Sequence, residues 1–348
     1  MDRTHGGNAP RGVLDFSASL NPLGPPAAAL DAYHEAAGLI ADYPPPYPGD
    51  LAMRLACRHG IAPDNIVVGN GSTQLIHLLA RTLRPRRPFV AIPTFSEIAN
   101  AMIIAGVAPA AMPAKRERNF AIEAAQAARA LQQGADAIFI GRPNSPTGAM
   151  LSIGDAAEVA AQCASRGCWC IFDEAFIDFA GEEHSAVRLA TENPHVIVLR
   201  SLTKMFAIAG LRLGYLAADL SVAHRLREAC EPWSVNIAAE RVGTACLSVA
   251  EDFATRSRVL IAAARADLFA ALATIDGLHA FASCANFLML EVAENERSGG
   301  FAEHMLAHGI AVRDLRDLPG CGPGMYRVAV RMREDNERLV AATRAYFD

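Results

Sequence analysis

The chain has eight cysteines but no Cys-x-x-Cys pair and no histidine at finger spacing, which excludes a structural zinc module. Its apolar runs are short and interrupted. The stretch Ala101 to Ala108 falls well below the ~20 residues needed to cross a bilayer. The amino terminus, Met1-Asp2-Arg3-Thr4-His5-Gly6-Gly7, lacks an apolar signal core. Basic excess is missing too: 32 Lys and Arg stand against 37 Asp and Glu, a formal net charge of -5, so no field favours nucleic acid. Arg81, Arg84, Arg86 and Arg87 read as a helix end meeting a solvated loop. No internal repeat or low-complexity linker is evident. These absences predict a cytoplasmic protein with no metal and no partner in nucleic acid or membrane. Cys168 and Cys170 are expected on one face of a buried strand, as small hydrophobes in a reducing compartment.

What is present is apolar bulk. With 348 residues and 52% hydrophobic composition, the chain can bury a large core and has the length of roughly two domains. Between residues 50 and 230, apolar strand candidates at 66–68, 88–92, 137–140, 168–172, 195–199 and 213–217 alternate with Ala-rich helix candidates. That alternation predicts an α/β fold with a mostly parallel sheet covered by helices. A long helical stretch from Ile237 to about Ala273 leads into a smaller region with strands at 287–292 and 326–330.

The chemistry-bearing segments follow the predicted strands. Ser201-Leu202-Thr203-Lys204 follows Val196 to Leu199 and precedes Gly210 to Tyr215 with Arg212. A lysine past a buried strand, flanked by hydroxyls and trailed by an arginine, suits a phosphorylated aldehyde: the amine forms a Schiff base and the other donors hold the phosphate. Asp173-Glu174-Ala175 closes Cys168 to Phe172, and a carboxylate there can pair with a protonated pyridine nitrogen. Gly71-Ser72-Thr73 opens a helix after Ile66 to Val68, offering free amides to an anion. Pro143 to Gly148 forms another loop at a strand end. Ligands on parallel sheets sit beyond the strand ends.

These residues resemble fold type I pyridoxal-phosphate enzymes, in the branch holding histidinol-phosphate aminotransferase and threonine-phosphate decarboxylase. The resemblance runs from His5-Gly6-Gly7-Asn8 to Tyr326-Arg327-Val328-Ala329-Val330-Arg331. The decarboxylase side is favoured by the His-Gly-Gly-Asn arm, Asp15-Phe16-Ser17 before Asn21-Pro22-Leu23-Gly24, Asp173 to Phe179, and Pro232 to Asn236. It implies an amino-terminal arm and first helix in residues 1–40 packing with the small domain. A large cofactor domain at 41–235 follows, then an interdomain helix and small carboxy-terminal domain at 236–348. It also implies a homodimer.

By the same resemblance, pyridoxal 5'-phosphate is carried on Lys204 with Asp173 at its ring nitrogen, and Phe95 stacks on the ring. Gly71, Ser72, Thr73, Ser201, Thr203 and Arg212 form its phosphate cup. Arg327 matches the arginine that grips the substrate carboxylate. Arg313 matches one facing a substrate phosphate, His5 lies in the substrate-phosphate arm, and Ser19 and Asn21 belong to the substrate site. Tyr47 matches a tyrosine crossing to the partner's cofactor. The chain departs from its relatives at three positions. Ser145 stands where asparagine usually bonds the ring hydroxyl, with Asn144 one position earlier, so either Ser145 reaches the oxygen or the loop presents Asn144. Phe176 replaces the tyrosine of the aminotransferases, and Ser19 replaces an asparagine of the decarboxylases.

The implied activity is decarboxylation of a small phosphorylated amino acid, L-threonine O-3-phosphate, in cobalamin synthesis. Transamination of histidinol phosphate or an aromatic amino acid is the alternative, because both reactions differ only in which α-bond stands perpendicular to the ring. A cofactor-binding homologue without catalysis, serving as a partner subunit, is the third reading.

Overall fold

The computed structural model describes residues 5–293 and 300–347. Met1 to Thr4, 294–299 and Asp348 lie outside them, and with them part of the amino-terminal expectation and of the 236–348 span. Seven strands form the large sheet: Ile66–Gly69 (β2), Pro88–Ile92 (β3), Ala110–Pro113 (β4), Ala137–Gly141 (β5), Trp169–Asp173 (β6), Val196–Ser201 (β7) and Gly214–Ala218 (β8). Their order is β2-β8-β7-β6-β5-β3-β4. Neighbours from β7 to β4 pair in parallel, and β8 runs antiparallel to both β7 and β2. The sheet is therefore mixed, with one reversed strand that its local sequence does not announce.

Helices cover both faces, and the strand sequences reflect it. Along β7, Val196 and Val198 join one buried cluster while Ile197 and Leu199 join the other. A strand buried on both sides has no polar face, which is why it reads as an unbroken apolar run. Cys168 and Cys170 are both buried in the first cluster. The strand β4 escaped the sequence reading because Ala110 and Ala111 carry little strand preference and three of its four residues are exposed at the sheet edge.

The remaining strands are Leu14–Asp15 (β1), Leu278–Phe281 (β9), Phe287–Val292 (β10), Ile310–Ala311 (β11), Arg313–Asp314 (β12) and Met325–Ala329 (β13). An antiparallel sheet of order β12-β13-β10-β9 packs against helix Ala250–Leu272, which in turn meets helix Arg333–Phe347, and β1 pairs in parallel with β11. The expected single helix from 237 to 273 is two, Ile237–Ser248 and Ala250–Leu272. They break at Val249, whose backbone (φ -116°, ψ 9°) leaves the helical region. Asn236 caps the first by accepting from the Ala239 N–H at 2.8 Å. Among the described residues, no helix is long and apolar enough to cross a membrane, and no group of three or more His, Cys, Asp or Glu could hold a metal ion.

Candidate active site

One cavity of about 620 Å³ lies beyond the strand ends, where the loops after β2, β3, β5, β6 and β7 converge with the loop before the reversed β8. At its floor, β2 turns into helix Gly71–Leu83, whose first-turn residues Ser72 and Thr73 line the cavity. Gly71 has φ +77°, and a Cβ there would sit 2.8 Å from Arg212 Nη2. The missing side chain lets a guanidinium lie against the open helix end. Arg212 itself has φ +58°, a left-handed backbone that costs a non-glycine residue about 1 kcal/mol or more. Ser201 Oγ and Thr203 Oγ1, 2.8 Å apart, complete a ring of donors. Helix end, hydroxyl pair and guanidinium together make a cup for a phosphate.

Lys204 and Asp173 stand beside that cup. Burial, with the positive charges of Arg327 and Arg212, lowers the Lys204 pKa to about 8, and only Asp173 opposes the shift. Burial also raises Asp173 to about 6, despite a hydrogen bond from the Ala175 N–H at 3.1 Å. A lysine easily made neutral and a carboxylate short of positive partners are the two groups an aldehyde and a ring N–H would need. The Lys204 ammonium nitrogen lies 5.9 Å from the centre of the Phe176 ring.

The opposite wall comes from the small sheet. Arg313 and Arg327 are directly paired across β12 and β13, which sets two like charges side by side on that wall. Arg327 donates from Nη1 to Ser145 Oγ at 2.9 Å and from Nη2 to the Ser17 carbonyl at 2.6 Å. Burial and the charge of Arg313 lower its pKa to about 10. Arg327 Nε and Ser19 Oγ are buried without a hydrogen-bond partner among the described residues. Both residues line the cavity, so these atoms keep a bonding capacity that a ligand could meet.

His5, Phe95, Ser145, Asp173, Lys204, Arg212, Arg313 and Arg327 all line this cavity. Four expected residues do not: Gly71, which lies behind Arg212 at the open helix end, and three others. Asn144 is turned toward the loop after β3, accepting from Thr94 Oγ1 and donating to Pro93 O and to Thr147 Oγ1 of its own loop, so Ser145 is the one that lines the cavity. Asn21 is buried and holds the Lys204 turn through Met205 O at 2.8 Å and Ser257 Oγ at 2.7 Å, a structural post rather than a cavity residue. Tyr47 lies away from the cavity and is 47% exposed.

The sequence reading missed Glu97. It is buried in the cavity wall, facing His5 Nε2 at 3.3 Å and His77 Nε2 at 3.6 Å. Its signal was present, since Thr94 to Glu97 follows a strand end as the Gly71, Ser145, Asp173 and Lys204 segments do. Lysine scarcity was a second neglected signal: the chain holds two, Lys115 and Lys204.

A doubly covered sheet with a lysine and an acid at adjacent strand ends over a phosphate cup defines a pyridoxal-phosphate enzyme of fold type I. The family model for aminotransferase class I and II matches residues 11–342, and the chain belongs to that family. It is 33% identical to threonine-phosphate decarboxylase of Salmonella typhimurium, covering 99% of this chain and 96% of that one. It is 32% identical to histidinol-phosphate aminotransferase of Roseiflexus castenholzii, covering 94% and 88%. The histidinol-phosphate aminotransferase structure from Clostridium acetobutylicum shares the fold at TM-score 0.87 and 24% identity, covering 96% and 98%. These place the chain in the branch that contains both enzymes, and membership implies a pyridoxal-phosphate cofactor.

Proposed function

We propose that the chain decarboxylates L-threonine O-3-phosphate to (R)-1-amino-2-propanol O-2-phosphate, as a step of cobalamin synthesis. The observation that carries this reading is the pair Arg313 and Arg327, set opposite each other on the cavity wall away from the cofactor cup. Two cations there suit a substrate with two anionic ends. Likeness to the Salmonella decarboxylase over nearly the whole chain, and phenylalanine rather than tyrosine at Phe176, support it.

Pyridoxal phosphate held by Lys204, Asp173 and the cup supplies an electron sink for the pair left when a bond at the amino acid's α-carbon breaks. The residues do the rest. Ser72, Thr73, Ser201, Thr203 and Arg212 bind the cofactor phosphate, and Asp173 keeps a proton on the ring nitrogen. Phe95 would cover the cofactor ring, and Phe176 adds an apolar side chain to the cavity wall near Lys204, so that both exclude water. Arg327 grips the α-carboxylate and sets the torsion that selects the bond to break, while Arg313 and His5 face the substrate phosphate and Ser19 donates to the substrate. Lys204 Nζ, close to its pKa near neutrality, gives or takes a proton at the α-carbon. A second copy of the chain brings Tyr47 to its partner's cofactor.

Incubation with threonine phosphate, measuring carbon dioxide, tests the reading. A parallel reaction follows amino transfer from histidinol phosphate to 2-oxoglutarate. Carbon dioxide without amino transfer is expected; amino transfer without carbon dioxide replaces it with the aminotransferase reading. Neither product, from protein that retains cofactor, leaves the non-catalytic partner subunit.

A further inference from the structure

Ser145 stands where relatives place an asparagine at the cofactor's ring oxygen, yet its hydroxyl is engaged on the other side of the cavity. It accepts from Arg327 Nη1 at 2.9 Å, while the Ser17 carbonyl accepts from Nη2 at 2.6 Å. The Phe287 ring centre lies 5.4 Å from the guanidinium carbon. A guanidinium carries five N–H donors in one plane, so fixing both terminal nitrogens fixes the plane and with it the directions of the three donors that remain. One of those is Nε, buried and unpartnered among the described residues.

The second anchor is itself held from behind. Ser17 Oγ donates to Asp15 Oδ1 at 2.6 Å and accepts from the Gly7 N–H at 2.9 Å. Gly6 passes so close that a Cβ on it would fall 2.1 Å from the Ser17 carbonyl oxygen. A residue with any side chain there must push that carbonyl away.

We propose that Ser145 is a positioning residue for Arg327, clamping with the Ser17 carbonyl the guanidinium that receives the substrate carboxylate, and that it does not serve the cofactor. The inference rests on the assignment of Arg327 to that carboxylate. Losing the hydroxyl leaves Nη1 without its acceptor, and the plane turns away from its target.

The test uses the cofactor-loaded protein and two unreactive probes, 3-phosphonopropionate, which has a carboxylate, and ethylphosphonate, which lacks one. Binding is followed by calorimetry and cofactor retention by absorbance. In wild type, 3-phosphonopropionate binds more tightly. Ser145→Ala weakens it about five- to tenfold, less than the loss of a whole charge-assisted hydrogen bond because the Arg327 contact is misaligned and not removed, with ethylphosphonate and cofactor affinity unchanged. Ser145→Thr keeps the hydroxyl and stays within twofold of wild type. Gly6→Ala reproduces the alanine pattern from the other anchor. If Ser145→Ala instead loosens the cofactor or shifts its absorption while leaving 3-phosphonopropionate within twofold, Ser145 belongs to the cofactor and the proposal fails. If wild type shows no preference for the carboxylate probe, the role of Arg327 fails and takes the proposal with it.

Discussion

Two buried charge clusters share the same strand ends and are built to opposite ends. On one side, Arg142 and Arg200 meet Glu174, Asp178 and Glu182, joined by Arg58 and His59. Arg200 reaches Asp178 at 3.1 Å and Glu182 at 2.9 Å, and Glu174 takes Arg142, the Ser185 hydroxyl and the Ala186 N–H. Burial works against the charge of Glu182, but Arg200 and His59 more than offset it and hold its pKa well below the usual range. On the other side, Lys204, Arg212 and Arg327 have no such pairing among the described residues, and Asp173 is pushed upward. The alternation of a strand separates the two: Asp173 and Glu174 are neighbours in sequence, as are Arg200 and Ser201. A closed cluster supports the scaffold, while the open one is finished by ligands.

The sharpest break in this contrast is Lys204→Ala. Turnover is expected to fall about 10³-fold or more while the thermal midpoint holds or rises, since a buried charge is removed. Borohydride reduction followed by peptide mass mapping checks the site, and with Lys115 as the only other lysine the trapped mass is unambiguous. Activity equal to wild type would end the assignment. Arg200→Ala should do the reverse: breaking a closed pair costs about 3–5 kcal/mol of stability by denaturant titration. Loss of activity with unchanged stability would show that this cluster is not closed.

Arg313→Ala comes next, reducing kcat/KM on threonine phosphate by one to two decades, about 1.5–3 kcal/mol for a lost charge-assisted bond, with cofactor retention unchanged. The smallest effect is on pH. Lys204 binds its proton less tightly folded, at about 8, than unfolded at 10.5, so the unfolded chain holds the extra proton between those values. Stability of the cofactor-free protein from this group therefore rises with pH from 8 to 10.5. Asp173, raised to about 6 from 3.8, acts oppositely, and its contribution is lost as pH climbs from 3.8 to 6. Capture of pyridoxal phosphate should rise with pH with a midpoint near 8, and Arg327→Met should move that midpoint upward.

Much of the open cluster was legible because it lies on local motifs. Lys204, Asp173 and the Gly71 turn each sit within a few residues of an apolar strand, and strand ends are where such sheets bind ligands. Partnership was not legible. The motif that flagged Asn144 and Asn21 could not show that Thr94, Met205 and Ser257 take up their amides, because those contacts cross 50 to 236 positions. Nor could spacing reveal the reversed β8, whose direction is set by pairing with β2 and β7. The closed cluster passed unnoticed because its arginines and acids look, one at a time, like ordinary surface charge.

The contact between Arg327 and the Ser17 carbonyl joins positions 310 residues apart. In chain order, Lys204, Asp173 and Arg212 all precede the helix that carries Ser257 and the strand that carries Arg327. The wall that holds the Ser17 carbonyl against Arg327 is thus closed by the first and last parts of the chain, and it can form only when nearly every residue has been made.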